Sequence, residues 1–200
     1  MRRLSTLALG FALLLTAGAT RTIAQGMGGM GSMGSNSSSM GFDFKAASLA
    51  DIKDSETKFV GLAKAIPSEK YTWRPGEGVR SIAEVFLHMS SANYGLAPMM
   101  GAARAEGVNP RELEKSTTDK DKIVDTLSKS FAYLENAVQS TSDADLQKHV
   151  KMFGGKEGTG GDVLFLIITD MHEHLGQMIA YARVNNVTPP WTAARAQHGQ

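Results

Sequence analysis

Cysteine is absent from the 200-residue chain. That excludes a disulfide framework, a thiolate zinc site, a Cys nucleophile and a lipidated Cys near the start. Any metal site must therefore draw on His, Asp, Glu, Asn or Met. A basic footprint is missing too. The formal charge is only +1, and three arginines (Arg2, Arg3, Arg21) fall in the first 24 residues, which hold no acid. Without them, 18 Lys and Arg face 20 Asp and Glu, so no nucleic-acid partner is expected. The apolar run Leu7 to Leu15 is shorter than the roughly 20 residues a spanning helix needs, and no stable membrane insertion is expected. Alternation of the strand kind is confined to a short piece near His149 to Phe153.

What is present at the start has the layout of a secretory signal peptide. Arg2 and Arg3 form a basic segment, Leu7 to Leu15 an apolar one, and Thr22-Ile23-Ala24 a small-residue cleavage region, with Ala17-Gly18-Ala19 an earlier alternative. Residues 1–24 are thus expected to be removed on export, which places the mature protein in the periplasm or outside the cell. Residues 25–41 are rich in Gly, Ser and Met, with no charge and no periodicity. Such a segment reads as a flexible linker. Met27, Met30, Met33 and Met40 lie in it, and thioethers are soft ligands for Cu(I). No His or Cys stands near enough in sequence to complete a copper site, so the linker reading is preferred.

From residue 42 to 190 the chain carries four apolar-periodic segments. The first spans about residues 47–65, with Leu49, Ile52, Phe59 and Leu62, and stops at Pro67. The second opens on a capping-box pattern, Ser81 with Glu84, and runs to about residue 103 with a kink or early end expected at Pro98. The third covers about 118–140, with Ile123, Leu127, Phe131, Leu134 and Val138. The fourth covers about 162–186, and its first half is apolar almost all round, which predicts the most buried helix. The architecture that buries four such stripes is all-α, a four-helix bundle, with links long enough for a crossover connection. Residues 191–200 read as a polar tail that includes His198.

The histidines then decide where chemistry sits. On the fourth helix, Asp170 and His174 are four residues apart and share a face, while His172 lies about 200° from either. Ile167, Met171 and Met178 occupy the Asp170/His174 side, which turns that side to the core and sends His172 and Glu173 to solvent. His88, one turn after Val85 and Ser81 on the second helix, completes a two-histidine, one-carboxylate set with open positions. Such a set suits a divalent ion, Zn, Ni or Fe. Read without a metal, His88 is a hydrogen-bonded core histidine and Asp170 a carboxylate with a helix-end or arginine partner. Tyr94 and Trp73 line a pocket in one reading and belong to the core in the other.

Two stretches add a resemblance: EKYTWRPGEGVRSIAEVFLHM, residues 69–89, and TDMHEHLGQMIAYAR, residues 169–183. Together they resemble the DinB family of metal-binding four-helix bundles. In that family a Tyr/Trp-x-Pro segment and a Ser-Ile-x-Glu helix start lead to a histidine, and the last helix carries His-x-x-x-His before x-Gly-Gln. His88 matches the first histidine, and His174 with Gly176-Gln177 the last. Asp170 stands where the family usually has His, which implies a harder, anionic ligand or a lost metal site. The resemblance implies metal-assisted hydrolysis or activation of a small thiol for transfer, an unknown small-molecule substrate, and homodimerisation through helix faces. The alternative is a non-catalytic exported bundle that binds or scaffolds. Thiol transfer sits poorly with export, because cytoplasmic thiol cofactors are not expected outside the membrane.

Overall fold

The computed structural model describes residues 42–197. The expected leader, the whole linker and His198 lie outside the described residues. Four long helices form the bundle: α1 (Phe44–Ala65), α2 (Ile82–Leu96), α4 (Lys120–Ser140) and α6 (Gly160–Val184). Between and after them come short helices α3 (Pro110–Leu113) and α5 (Asp143–Leu146), a hairpin of β1 (His149–Lys151) and β2 (Glu157–Thr159), and a final helix α7 (Pro190–Gln197). No helix among the described residues is long and apolar enough to cross a membrane. The architecture is the all-α bundle expected.

Helix starts follow local chemistry. Asp43 and Asp119 cap α1 and α4 by accepting from Ala46 N and Lys122 N. Ser81/Glu84 and Thr159/Asp162 form complete capping boxes on α2 and α6. The loop before α2 also helps: Trp73 O accepts from Ile82 N and Tyr71 O from Ala83 N, so more of the orphan donors of that helix end are satisfied. At the end of α1, Pro67 has no N–H to give Ala63 O; the Tyr71 hydroxyl donates there instead, at 2.6 Å.

The helices pack around a ring in which α1 and α2 stand across the diagonal, as do α4 and α6. Lysines fix one edge of this ring at both ends. Lys120, first in α4, donates to Lys64 O and Ile66 O at the end of α1, and Lys45, second in α1, donates to Gln139 O and Thr141 O at the end of α4. The two helices are therefore antiparallel, with each capping the other's last carbonyls. Asn93 with Ser130, and Tyr94 against Tyr133, set α2 parallel to α4. The link from residue 97 to 119 must then travel back along the bundle, and it is the expected crossover. Phe59 and Phe131 meet at 5.8 Å in the core between α1 and α4, each contributing about 1.5–3 kcal/mol by burial.

Some boundaries differ from the sequence reading. α2 ends at Leu96 and continues as a 3-10 turn, Ala97–Met100, closed by left-handed Gly101; Pro98 stops the α-helix early, one of the two outcomes expected. α6 begins at Gly160, where a Cβ would lie 2.6 Å from Asp145 O, so only glycine allows α5 to sit so close. The first half of α6 is not buried all round: Phe165 is 60% exposed and Leu166 and Ile168 are half-buried. The segment read as a polar tail is helical from Pro190 to Gln197, with Trp191 half-buried against the core.

Tyr71→Phe removes the one hydroxyl that replaces the missing Pro67 donor and leaves a buried carbonyl short of a partner. It should lower stability by about 1–3 kcal/mol in urea unfolding with an unchanged slope.

Candidate metal centre

His88 is on α2 and Asp170 and His174 on α6, and these helices run antiparallel, because Tyr181 near the end of α6 reaches Arg80 O just before α2. One donor atom from each of the three residues lies within 4.8 Å of the others. His174 is 8% exposed; His88 and Asp170 are half-buried. The imidazoles stack edge to face, centroids 4.5 Å apart. His172 points away, exposed, and pairs with Asp51 of α1 at 2.8 Å, and Glu173 is exposed. The helix wheel therefore identified the inward face correctly.

Each imidazole is aimed by a partner on its Nδ1. His88 Nδ1 is 3.1 Å from Glu114 Oε2, and His174 Nδ1 is 2.9 Å from Gln177 Oε1. Neither acceptor has a proton to give: Gln177 turns its amide N–H to the Tyr181 hydroxyl, and the Glu114 carboxylate receives two bonds from the Arg80 guanidinium, at 2.8 and 3.3 Å. Both Nδ1 atoms are thus N–H donors, which leaves each Nε2 with its lone pair when the ring is neutral. Carboxylate- or amide-anchored histidine is the arrangement that holds metal-ligating imidazoles in one tautomer.

Glu114, Arg80 and the Gln177–Tyr181 pair were not singled out from sequence as site residues. Gln177 was readable in principle, three residues after His174 on the same helix. Glu114 was not, since it follows α3 in the crossover and meets His88 only through the fold. Tyr94 and Trp73 belong with the core reading: Tyr94 is buried against Tyr133, and Trp73 stands edge-on to Tyr181 at 5.2 Å.

The two imidazoles titrate in opposite directions. His88 is pushed down, chiefly by burial and then by the Arg80 charge, which outweigh Glu114. His174 is pushed up because Asp170 bonds to it, and this outweighs burial. Glu114 would be raised by burial, but hydrogen bonds from Arg80 and His88 hold it below the usual carboxylate range. The first proton taken up by the pair therefore goes to His174, shared with Asp170. The residues fit a divalent ion: His174 Nε2 and Asp170 Oδ1 are 3.5 Å apart, close to the edge of about 3.4 Å expected between two ligands at about 2.1 Å from a tetrahedral ion.

Loss of the His88 anchor in Glu114→Ala should weaken Zn²⁺ or Ni²⁺ binding by about 10–100-fold in a chelator-competition titration. His172→Ala, on the opposite face, should leave the affinity within error.

The sequence matches the DinB superfamily over residues 52–178. Comparison with curated proteins finds no match. Among solved structures, a DinB-like protein from Bacillus cereus ATCC 10987 superposes with a TM-score of 0.63 at 19% identity, over 72% of this chain and 95% of that one. A DinB-like protein from Bacillus subtilis gives 0.56 at 20% identity, over 71% and 93%. The mycothiol-dependent maleylpyruvate isomerase gives 0.56 at 14% identity, over 67% of this chain and 60% of that enzyme. At these identities the likeness to solved structures is one of fold. The family match itself runs from Ile52 in α1 to Met178 in α6 and takes in His88, Asp170 and His174; the chain belongs to the DinB superfamily.

Proposed function

We propose that the protein binds one divalent ion, Zn²⁺, Ni²⁺ or Fe²⁺, through His88 Nε2, Asp170 and His174 Nε2, and is an exported metal-dependent enzyme acting on a small molecule. The observation that carries this reading is the double Nδ1 anchoring, by Glu114 and Gln177, which leaves two Nε2 atoms beside one carboxylate. Export is supported by the signal-peptide layout of residues 1–24. When bound, the ion supplies a Lewis acid that polarises a substrate oxygen and lowers the pKa of water.

The chain's own residues divide the remaining work. Asp170 brings a negative charge that keeps the ion in place and moderates its acidity. Glu114, ionised under Arg80, holds the His88 ring in position, and Gln177 does the same for His174. Glu173 faces solvent and is no general base. Hydrolysis is preferred to thiol transfer because water is available wherever the protein resides, whereas a thiol route needs a second substrate of limited distribution. The fold shared with the mycothiol-dependent isomerase is what speaks for the thiol route.

Metal analysis of untagged protein tests the reading. Wild type should carry close to one ion per chain, His174→Ala none, and Asp170→Ala a reduced amount; Asp170→His should bind Zn²⁺ or Ni²⁺ more tightly. No stoichiometric metal under any supplied divalent ion overturns the proposal and leaves a non-catalytic bundle.

Acid should compete with the ion. Because the ion must displace the proton that Asp170 helps hold on His174, affinity should fall by about tenfold per pH unit once pH drops below the raised His174 value, and more steeply where His88 also protonates. Titration between about pH 8 and about pH 5 reads this; a flat profile would exclude His174 as a ligand.

A further inference from the structure

His88 and Asp170 also form part of the wall of a cleft of about 810 Å³, inside the roughly 300–1,000 Å³ range of pockets that enclose a small organic molecule. The cleft follows α2 from His88 to Met99 in the turn beyond it, roughly 16 Å at helical rise. Its sides are chemically distinct. Leu96, Met99, Leu166 and Phe153 supply an apolar lining, and Arg104 and Arg111 of the crossover supply positive charge. Phe153, at the turn of the β1–β2 hairpin, is 65% exposed and presents its ring to the cleft.

The two arginines differ from Arg74 and Arg80. Those are paired with Glu84 and Glu114, and each serves the α2 start or the His88 anchor. Among the described residues no carboxylate lies within ion-pair distance of the Arg104 or Arg111 guanidinium, although both line the cleft. The crossover is held beside α2 by the Ser91 hydroxyl, which donates to Pro110 O at 2.7 Å, and by the Arg80–Glu114 pair, so Arg111 is carried on an anchored segment. A second depression of about 640 Å³ beside the start of α1 offers no free positive charge: its Lys45 already donates to Gln139 O and Thr141 O at the end of α4.

We propose that this cleft binds a small organic carboxylate, its apolar body along Leu96, Met99, Leu166 and Phe153, its anionic group on Arg104 and Arg111, and its reacting end toward His88 and Asp170. The ligand's orientation rests on the metal reading above; its chemical class rests on the arginines and the apolar lining alone. A guanidinium–carboxylate contact is bidentate and directional, which fixes one end of a ligand whose apolar part is only loosely specified.

The experiment compares hexanoate with hexanamide, equal in shape but neutral, by calorimetric titration of the full chain. Wild type should bind hexanoate at least about tenfold more tightly than hexanamide, the effect of one charge-assisted contact. The double variant Arg104→Gln/Arg111→Gln, both at exposed positions, should lose that preference, and His174→Ala should keep it. Equal affinity for the two probes, binding of neither, or a preference that survives in the double arginine variant overturns the proposal. So does a preference lost only in His174→Ala, which would seat the anion on the ion. An arginine-dependent preference in a protein that takes up no metal would support the carboxylate site while removing the metal reading.

Discussion

The ion pair between Arg80 and Glu114 ties the start of α2 to the crossover, which the Ser91–Pro110 hydrogen bond also holds beside that helix. Arg80 directly precedes the capping box of α2, and Glu114 lies in the crossover after α3. Their bidentate contact draws the crossover over the face of α2 that carries His88, and it lets Glu114 accept from the imidazole while staying ionised. The backbone takes part as well, since Arg80 O accepts from Tyr181, whose hydroxyl in turn receives Gln177. One residue thus reaches both histidines, through its side chain toward His88 and through its carbonyl toward His174. The pair is partly exposed, so its value lies in geometry more than in stability.

That arrangement separates the roles of charge in and around the site. Glu114 is compensated by Arg80 and orients; Asp170, among the described residues, pairs with His174. The asymmetry in the two imidazoles follows from it, since His88 has a guanidinium nearby and His174 has a carboxylate. Beside α2 the crossover brings Arg104 and Arg111, which among the described residues have no carboxylate within ion-pair distance, so the same cleft holds the Asp170 carboxylate and two guanidinium groups.

The four long helices were readable in the sequence because each keeps an apolar stripe, and because Ser81/Glu84 and Pro98 mark boundaries by local stereochemistry. The inward face of α6 was readable from a 40° offset between Asp170 and His174. Several features escaped. Phe165 and its neighbours look like core by composition, yet α6 has only two long helices beside it, so part of an all-round apolar surface is left to solvent. Glu114 has no periodic context at all, and its place at the site follows from the crossover's path, which depends on tertiary pairing and not on its neighbours in sequence. The small helix α7 was missed for the opposite reason: its composition is polar, and it is tied to the rest through Trp191 against the core and Pro190 beside Gly61 of α1.

The diagonal placement of α1 and α2 has a consequence for how the chain becomes a protein. Neither the half before the crossover, with α1 and α2, nor the half after it, with α4 and α6, contains a pair of helices packed along their length; every such pair joins one half to the other. No helical hairpin can form early and wait, and the apolar stripes of α1 and α2 stay uncovered until the later half arrives. Each packing of one long helix on another joins segments distant in sequence, which slows folding relative to a bundle of sequential hairpins. His88 and His174 belong to opposite halves, so the candidate centre exists only once the two halves have packed together.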